Sequence, residues 1–129
     1  MTSALTIELL MYSPQVLDHF QNPRNAGEIA DADATAEIEN PACGDVLRLT
    51  LKINDGRIIR AKFKAKGCVA AIASASALTE LLTGTTLADA KNLRRADLTH
   101  AVGGLPQASS HAAQLAVDAL AAALRQINF

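Results

Sequence analysis

The chain has 129 residues and a formal net charge of −1 at pH 7. Half of its residues are hydrophobic, mostly Ala, Leu, Ile and Val, and only 3% are aromatic. This length predicts one domain whose core needs no disulfides. The balanced charge gives no basic footprint for nucleic acid, and no apolar run approaches the roughly 18 residues of a membrane span. The first basic residue is Arg24, which argues against a secretory signal or transit peptide, so we expect a cytoplasmic protein with reduced cysteines.

The first predicted element is a helix that begins after Ser13. Serine is a favoured N-cap, and Pro14 suits the first helical position. The helix should end before Asn22 and Pro23, because a residue that precedes proline avoids the α region. Residues 1–10 form a short apolar lead whose conformation the sequence leaves open. The expected inner face of the helix consists of Val16, Leu17 and Phe20.

A β-hairpin is predicted next. Residues 46–53 alternate between apolar and polar side chains, and Asn54-Asp55-Gly56 is a hairpin turn signal. A weaker alternation at 35–39 predicts an edge strand. The outer face of the hairpin is basic, which indicates either a solvated surface or a docking surface for an acidic partner. In the return strand the side chains expected inward are Ile59, Ala61, Phe63 and Ala65, and those expected outward are Arg60, Lys62, Lys64 and Lys66.

Helices fill the rest of the chain. An Ala-rich buried helix is predicted over 69–83, ending at Gly84, a natural C-cap residue. Two short helices follow at 86–92 and 96–102. A last helix, capped by Ser109 or Ser110, runs to Ile127. The order of elements predicts an α+β fold, in which helices pack on one face of a small antiparallel three-stranded sheet.

Two cysteines and an aspartate lie at the open end of this hairpin. Cys43 and Asp45 occupy the loop before the central strand, and Cys68 follows the return strand at the start of the buried helix. Because the start of one hairpin strand lies beside the end of the other, Cys43 and Cys68 are predicted to be neighbours. The partial positive charge at a helix N-terminus favours the thiolate form of Cys68.

His111 lies in the first turn of the last helix. Together with two thiolates and one carboxylate it makes a plausible tetrahedral set for Zn²⁺, or for a [2Fe–2S] cluster, which takes two protein ligands per iron. Simpler interpretations stay open: each cysteine as a small hydrophobe, a disulfide, Asp45 as a turn residue, or His111 as a hydrogen-bonding group at a helix start. The two remaining histidines, expected at the surface or in structural roles, are His19 and His100.

Three segments in this order resemble the IscU/NifU-type iron–sulfur cluster assembly scaffolds. They are YSPQVLDHFQNPRN at 12–25, NPACGDV at 40–46 and FKAKGCVAAIASAS at 63–76. The resemblance spans about residues 11 to 127. It implies one domain of this type over 1–129, with 1–10 as an N-terminal extension.

The resemblance also implies a ligand set. Cys43, Asp45, Cys68 and His111 match the family positions that hold a transient [2Fe–2S] cluster, iron or zinc, and a cysteine desulfurase and other assembly proteins are the implied partners. The family's third cysteine, the sulfur acceptor, is replaced by Ala112. The family's chaperone-recognition segment Leu-Pro-Pro-Val-Lys reads LPQAS at 105–109, which puts contact with an Hsp70-type chaperone in doubt.

Three functions are compatible with these observations. The first is a non-enzymatic scaffold or carrier that holds a transient cluster. The second is a divergent metal-binding relative that binds assembly partners without building clusters, which the missing thiol at Ala112 favours. The third is a sulfurtransferase with Cys68 as nucleophile and His111 as base. No contact with nucleic acid or membrane is expected from the sequence.

Overall fold

The secondary structure follows the predicted order of one helix, three strands and further helices. A computed structural model describes residues 10–127, so the predicted extension at 1–10 lies, except for Leu10, outside the described residues. The elements are α1 (Pro14–Gln21), β1 (Ala34–Asn40), β2 (Asp45–Asn54), β3 (Arg57–Lys66), α2 (Val69–Leu82), α3 (Leu87–Lys91), α4 (Arg95–Ala101), a 3-10 turn (Gln107–Ser109) and α5 (His111–Leu124).

The three strands form one antiparallel sheet in the order β1-β2-β3, so the weakly alternating first strand is an edge strand as predicted. The hairpin turns at Asp55 and Gly56, which have φ of +53° and +74°. Both central residues of a type I′ turn take positive φ, and this turn matches the twist of the strands it joins. With the helices described below, this sheet confirms the predicted α+β class.

The predicted side-chain alternation of β3 is wrong at its first residues. Ile59 was expected inward but is 44% exposed, whereas Ile58 is fully buried. The cause is a register shift opposite Lys52 and Ile53: Lys52 pairs with Arg60 and Ile53 with Ile58, so Ile59 is an extra residue on β3. A β-bulge of this kind turns the following side chains to the opposite face.

The core lies between the inner face of the sheet and two Ala-rich helices. α2 packs on β3, and α5 packs on β1, β2 and α2. Small side chains allow the helices to approach the sheet and one another closely. The buried strand residues include Leu47, Leu49, Leu51, Ile58 and Phe63, and the buried alanines include Ala73, Ala77, Ala113, Ala116 and Ala119.

The outer face of the sheet is covered by the irregular segment 25–33. The Gly27 N–H donates to the Phe63 carbonyl at 2.8 Å, the Asp33 N–H donates to the Leu51 carbonyl at 2.8 Å, and Ile29 is buried. The Ile29 N–H also donates to Thr50 Oγ1 on β2, so this segment runs across the outer face from β3 to β2. The helices pack on one face, as predicted, and the chain supplies its own cover for the other.

The same segment neutralises the basic outer face. Glu28 pairs with Arg48 and lies 3.9 Å from Lys64, and Asp31 lies 3.2 Å from Lys52 and 3.9 Å from Arg60. Exposed pairs of this kind contribute little to stability, but they engage Arg48, Lys52, Arg60 and Lys64 with acidic groups of the same chain. The pairing favours the solvated-surface interpretation of the hairpin.

Within residues 10–127, no helix combines the length and apolar character that crossing a bilayer requires.

Candidate metal-binding site

The site is built around the buried carboxylate of Asp45, the first residue of β2, which is 3% exposed. Its Oδ1 accepts the Cys68 N–H at 3.2 Å, and its Oδ2 accepts the Cys68 thiol at 3.4 Å. The same Oδ2 lies 3.7 Å from His111 Nε2. Asp45 therefore joins the end of the hairpin, the start of α2 and the start of α5.

Cys68 occupies the N-cap position of α2, where its sulfur accepts the Ala71 N–H at 3.4 Å. The sequence predicts a thiolate here, and the balance of forces opposes that prediction. Burial, together with the negative charge of Asp45, raises the pKa of the Cys68 thiol, and these effects outweigh the two helix N–H groups that lower it. Without a metal, this cysteine is a protonated thiol that donates to Asp45.

Cys43 and His111 form the open side of the site. Cys43 lies in the turn after β1, its side chain is exposed, and its Sγ is 3.7 Å from His111 Nε2. The His111 side chain is 40% exposed. Ser110 is the N-cap residue of this last helix, as predicted, but its hydroxyl donates to the Gln107 carbonyl and makes no cap bond. The predicted end at Ile127 is wrong, because α5 ends at Leu124.

Three of the separations between donor atoms match those of a small tetrahedral site. One donor atom each from Cys43, Asp45 and His111 lies within 4.8 Å of the others. Zn–S and Zn–N bonds of about 2.3 and 2.0 Å imply donor separations of roughly 3.3–3.8 Å in a tetrahedron. The contacts of 3.4 and 3.7 Å fall in that interval. Cys68 stands outside the triplet but contacts it through Asp45, so all four predicted ligands belong to one connected cluster.

Ala112 is buried and lies next to Cys68. It is 1% exposed and packs in a small apolar cluster with Ala70 and Ala71, against which Tyr12, Leu105 and Cys68 also lie. The position next to His111 therefore faces the start of α2, beside Cys68, and carries only a methyl group. No donor atom replaces the missing third thiol at this position.

The sequence interpretation missed the contacts of two residues around the site. Tyr12 packs against the apolar cluster, and its hydroxyl lies 3.3 Å from Ser109 Oγ, which ties the chain before α1 to the turn before α5. Gly67 takes φ +152° directly above Asp45. A glycine before a cysteine was the available signal for Gly67; nothing local in the sequence indicates the contact of Tyr12.

The other two histidines are separate from the site. His19 is 7% exposed and its Nδ1 lies 2.8 Å from Ser76 Oγ, so of the two expected roles it has the structural one. His100 is exposed on α4. The nucleophile and base predicted for a sulfurtransferase, Cys68 and His111, do not face each other. The Cys68 thiol faces Asp45, and His111 Nε2 lies beside Cys43.

Known proteins resemble this chain in sequence and in fold. The sequence profile of the NifU-like N terminal domain matches residues 11–128. The iron-sulfur cluster assembly scaffold protein IscU 1 of Archaeoglobus fulgidus is 46% identical over 114 residues, which are 88% of this chain and 74% of that protein. The scaffold protein IscU of Azotobacter vinelandii is 42% identical over 120 residues, 90% of this chain and 93% of that protein.

Solved structures show the same architecture. A nitrogen-fixing NifU-like protein (N-terminal) from Brucella abortus superposes with a TM-score of 0.74 at 23% identity, over 91% of this chain and 94% of that one. A putative iron-sulfur cluster assembly scaffold protein for the SUF system from Fervidobacterium islandicum gives 0.70 at 20% identity, over 89% and 97%. At these identities the likeness concerns the fold alone.

Proposed function

The chain belongs to the family of NifU-like N-terminal domains, and on that premise we propose that it is an iron–sulfur cluster assembly scaffold that holds its cargo between Cys43, Asp45, Cys68 and His111. The cargo is a transient [2Fe–2S] cluster, iron or zinc. The observation that carries the proposal is the convergence of the Cys43, Asp45 and His111 donor atoms within 4.8 Å, with Cys68 bound to the same carboxylate.

Each residue has a distinct part in binding. Cys43 and His111 are exposed and offer the first donors to an incoming ion. Cys68 must give up the proton that it donates to Asp45 before its sulfur can bind, so loading releases protons and strengthens as pH rises. Asp45 contributes a hard oxygen donor among softer ones, which weakens the hold on iron–sulfur cargo and suits a carrier that releases it.

The proposal extends to the whole chain. We assign residues 1–129 to one domain, with 1–10 as an extension, and we assign no turnover chemistry to it. A cysteine desulfurase and other cluster assembly proteins are its partners in this proposal, in the cytoplasm. An Hsp70-type chaperone is left out, because the segment 105–109 lacks the lysine and second proline of the expected recognition motif.

A second function is favoured by one specific observation. The position after His111 carries a buried methyl group instead of a third thiol, and only an apolar cluster surrounds it. Two thiolates, one imidazole and one carboxylate suit a single Zn²⁺ without further ligands. The alternative is therefore a metal-binding relative that engages assembly partners but does not build clusters.

Anaerobic reconstitution separates the two functions. The protein is incubated with ferrous iron, cysteine, a cysteine desulfurase and a thiol reductant, which reduces the persulfide sulfur to sulfide, and visible circular dichroism is recorded. The scaffold proposal expects bands of a [2Fe–2S] cluster that disappear in Cys43→Ala. Ala112→Cys places a thiol beside Cys68 and is the matched variant: bands in this variant but none in the wild type would establish the divergent relative instead.

A further inference from the structure

Gly67 connects β3 to α2 directly over the Asp45 carboxylate. A Cβ atom built on Gly67 would lie 2.2 Å from Asp45 Oδ1 and 2.7 Å from its Cγ. Real Cβ atoms do not approach other heavy atoms so closely. The backbone at Gly67 also takes φ +152°, a conformation that residues with a side chain rarely adopt. Glycine at this position is therefore required by a specific contact as well as by the backbone.

Gly67 differs from the other glycines in what it contacts. At Gly44, Gly56, Gly84 and Gly104 an added Cβ would meet nothing within 4 Å, although all four have positive φ. Gly103 has a comparably close contact, with the Gln15 side-chain amide, which lies on the exposed surface of α1. Gly67 alone among the seven glycines contacts a buried carboxylate of the proposed ligand set.

We propose that Gly67 is a positioning residue for the metal site, because the space left by its missing side chain holds the Asp45 carboxylate in place. In that space Oδ1 accepts the Cys68 N–H, and Oδ2 faces both Cys68 Sγ and His111 Nε2. A methyl group at Gly67 rotates the carboxylate out, and all three contacts are lost together. This inference rests on the proposed function, since it takes Asp45 as a ligand.

Cobalt spectroscopy tests the proposal with the metal alone. Co²⁺ is titrated into the full chain and into the Gly67→Ala, Asp45→Ala and Asp45→Ala/Gly67→Ala variants. The control variant is Gly56→Ala, which introduces a side chain at positive φ in the hairpin turn, far from the site. We expect Gly67→Ala and Asp45→Ala to share one altered d–d spectrum and to bind Co²⁺ at least about tenfold more weakly than wild type. The double variant should be no weaker than Asp45→Ala, and Gly56→Ala should keep the wild-type spectrum. A wild-type spectrum in Gly67→Ala overturns the proposal.

A metal-free measurement separates this inference from the proposed function. In Gly67→Ala the Cys68 amide loses its acceptor, so its hydrogen exchange, followed by NMR, should accelerate to the rate seen in Asp45→Ala. If wild type binds no Co²⁺, the proposed metal site fails, while the Cys68 amide still decides the role of Gly67. If Gly67→Ala does not fold, the double variant decides: recovery of folding once the carboxylate is gone supports the positioning role, whereas failure of the double variant assigns the need for glycine to the backbone φ of +152° and overturns that role.

Discussion

His19 and His111 each sit in a polar cluster beside α2, but the two clusters are built in opposite ways. The His19 cluster lies half-way along α2 and comprises His19, Arg24, Asn25, Ser76 and Thr79. The ligand cluster lies at the start of α2 and comprises Cys43, Asp45, Cys68 and His111. Both bring a histidine from another helix to groups that are distant in sequence, so the presence of a histidine does not distinguish a structural cluster from a binding one.

The difference lies in how the polar atoms are satisfied. Ser76 Oγ accepts the Arg24 N–H at 2.8 Å and contacts His19 Nδ1 at 2.8 Å, and Thr79 Oγ1 donates to the Arg24 carbonyl at 3.2 Å. These are ordinary hydrogen bonds that fix the corner after α1 onto α2. In the ligand cluster the side-chain contacts are 3.4–3.7 Å, and two of the four side chains are open to solvent. Side chains that are engaged in hydrogen bonds with one another stabilise the fold, whereas donor atoms with longer contacts and partial exposure to solvent can bind an ion.

The largest expected effect is the stabilisation of the protein by Zn²⁺ bound at the ligand cluster. We predict that the protein binds about one Zn²⁺ per chain, and that Zn²⁺ at about 100 times its Kd raises the free energy of unfolding by about 2.7 kcal/mol. In His111→Ala the same addition should change stability little, whereas in His19→Ala the full increment should remain. Thermal unfolding with and without a chelator measures this. Zinc-free protein with both thiols freely titrating would contradict the ligand assignment.

The second largest expected effect is the loss of metal-free stability when the His19 cluster is disrupted. His19→Ala removes a buried imidazole and leaves Ser76 Oγ without its contact to His19 Nδ1, so we expect a loss of about 2 kcal/mol in the free energy of unfolding. His111→Ala, measured without metal, should change it by less than about 0.5 kcal/mol, because His111 is substantially exposed. Urea unfolding of the two variants compares them directly. An equal loss in both would remove the distinction between a structural and a binding cluster.

These clusters show what the sequence could predict. The meeting of Asp45 with Cys68 was predictable because a hairpin turn signal fixes which strand ends meet, and because cysteine is rare enough in this chain for two of them to stand out. The place of His111 beside them was implied by the family resemblance. The α+β class followed from periodicity. The His19 cluster was not predictable, because Ser76 is one of several serines and threonines on an Ala-rich helix and nothing local selects it as the partner of His19.

Three further differences between prediction and structure have the same kind of cause. The bulge at Ile59 depends on cross-strand register, which alternation within one strand does not report. The contact between Gly67 and Asp45 depends on two backbone segments that meet only after folding. The thiol form of Cys68 likewise reflects burial and a carboxylate from another strand, which outweigh the local effect of the helix N-terminus.

A smaller effect separates the two roles of Cys68. As N-cap it accepts the Ala71 N–H, and as a proposed ligand it supplies sulfur. Cys68→Ala should remove Zn²⁺ binding and also about 1 kcal/mol of metal-free stability, since the cap is lost. Cys68→Ser is the matched control: serine is a preferred N-cap, so metal-free stability should be kept while Zn²⁺ binding is lost. Unchanged zinc content in Cys68→Ala would remove this residue from the ligand set.

The smallest effect is the pH dependence of the His19 cluster. Burial, reinforced by the positive charge of Arg24, holds the pKa of His19 below its ordinary value of 6.5, against the opposing charges of Glu80 and Asp18. The unfolded chain therefore takes up a proton more readily than the folded one, and the stability contributed by neutral His19 is present above pH 6.5 and lost as pH falls below it. The carboxylates Asp18, Glu28 and Asp31, whose pKa values are lowered by their cationic partners, titrate at lower pH and stay charged above about pH 5.

Unfolding in urea from about pH 7 to pH 5, with a chelator present, should show a decline in the free energy of unfolding for wild type and for His100→Gln, the exposed control. His19→Gln should flatten that decline, and an unchanged slope in this variant would show that His19 is not the group that titrates.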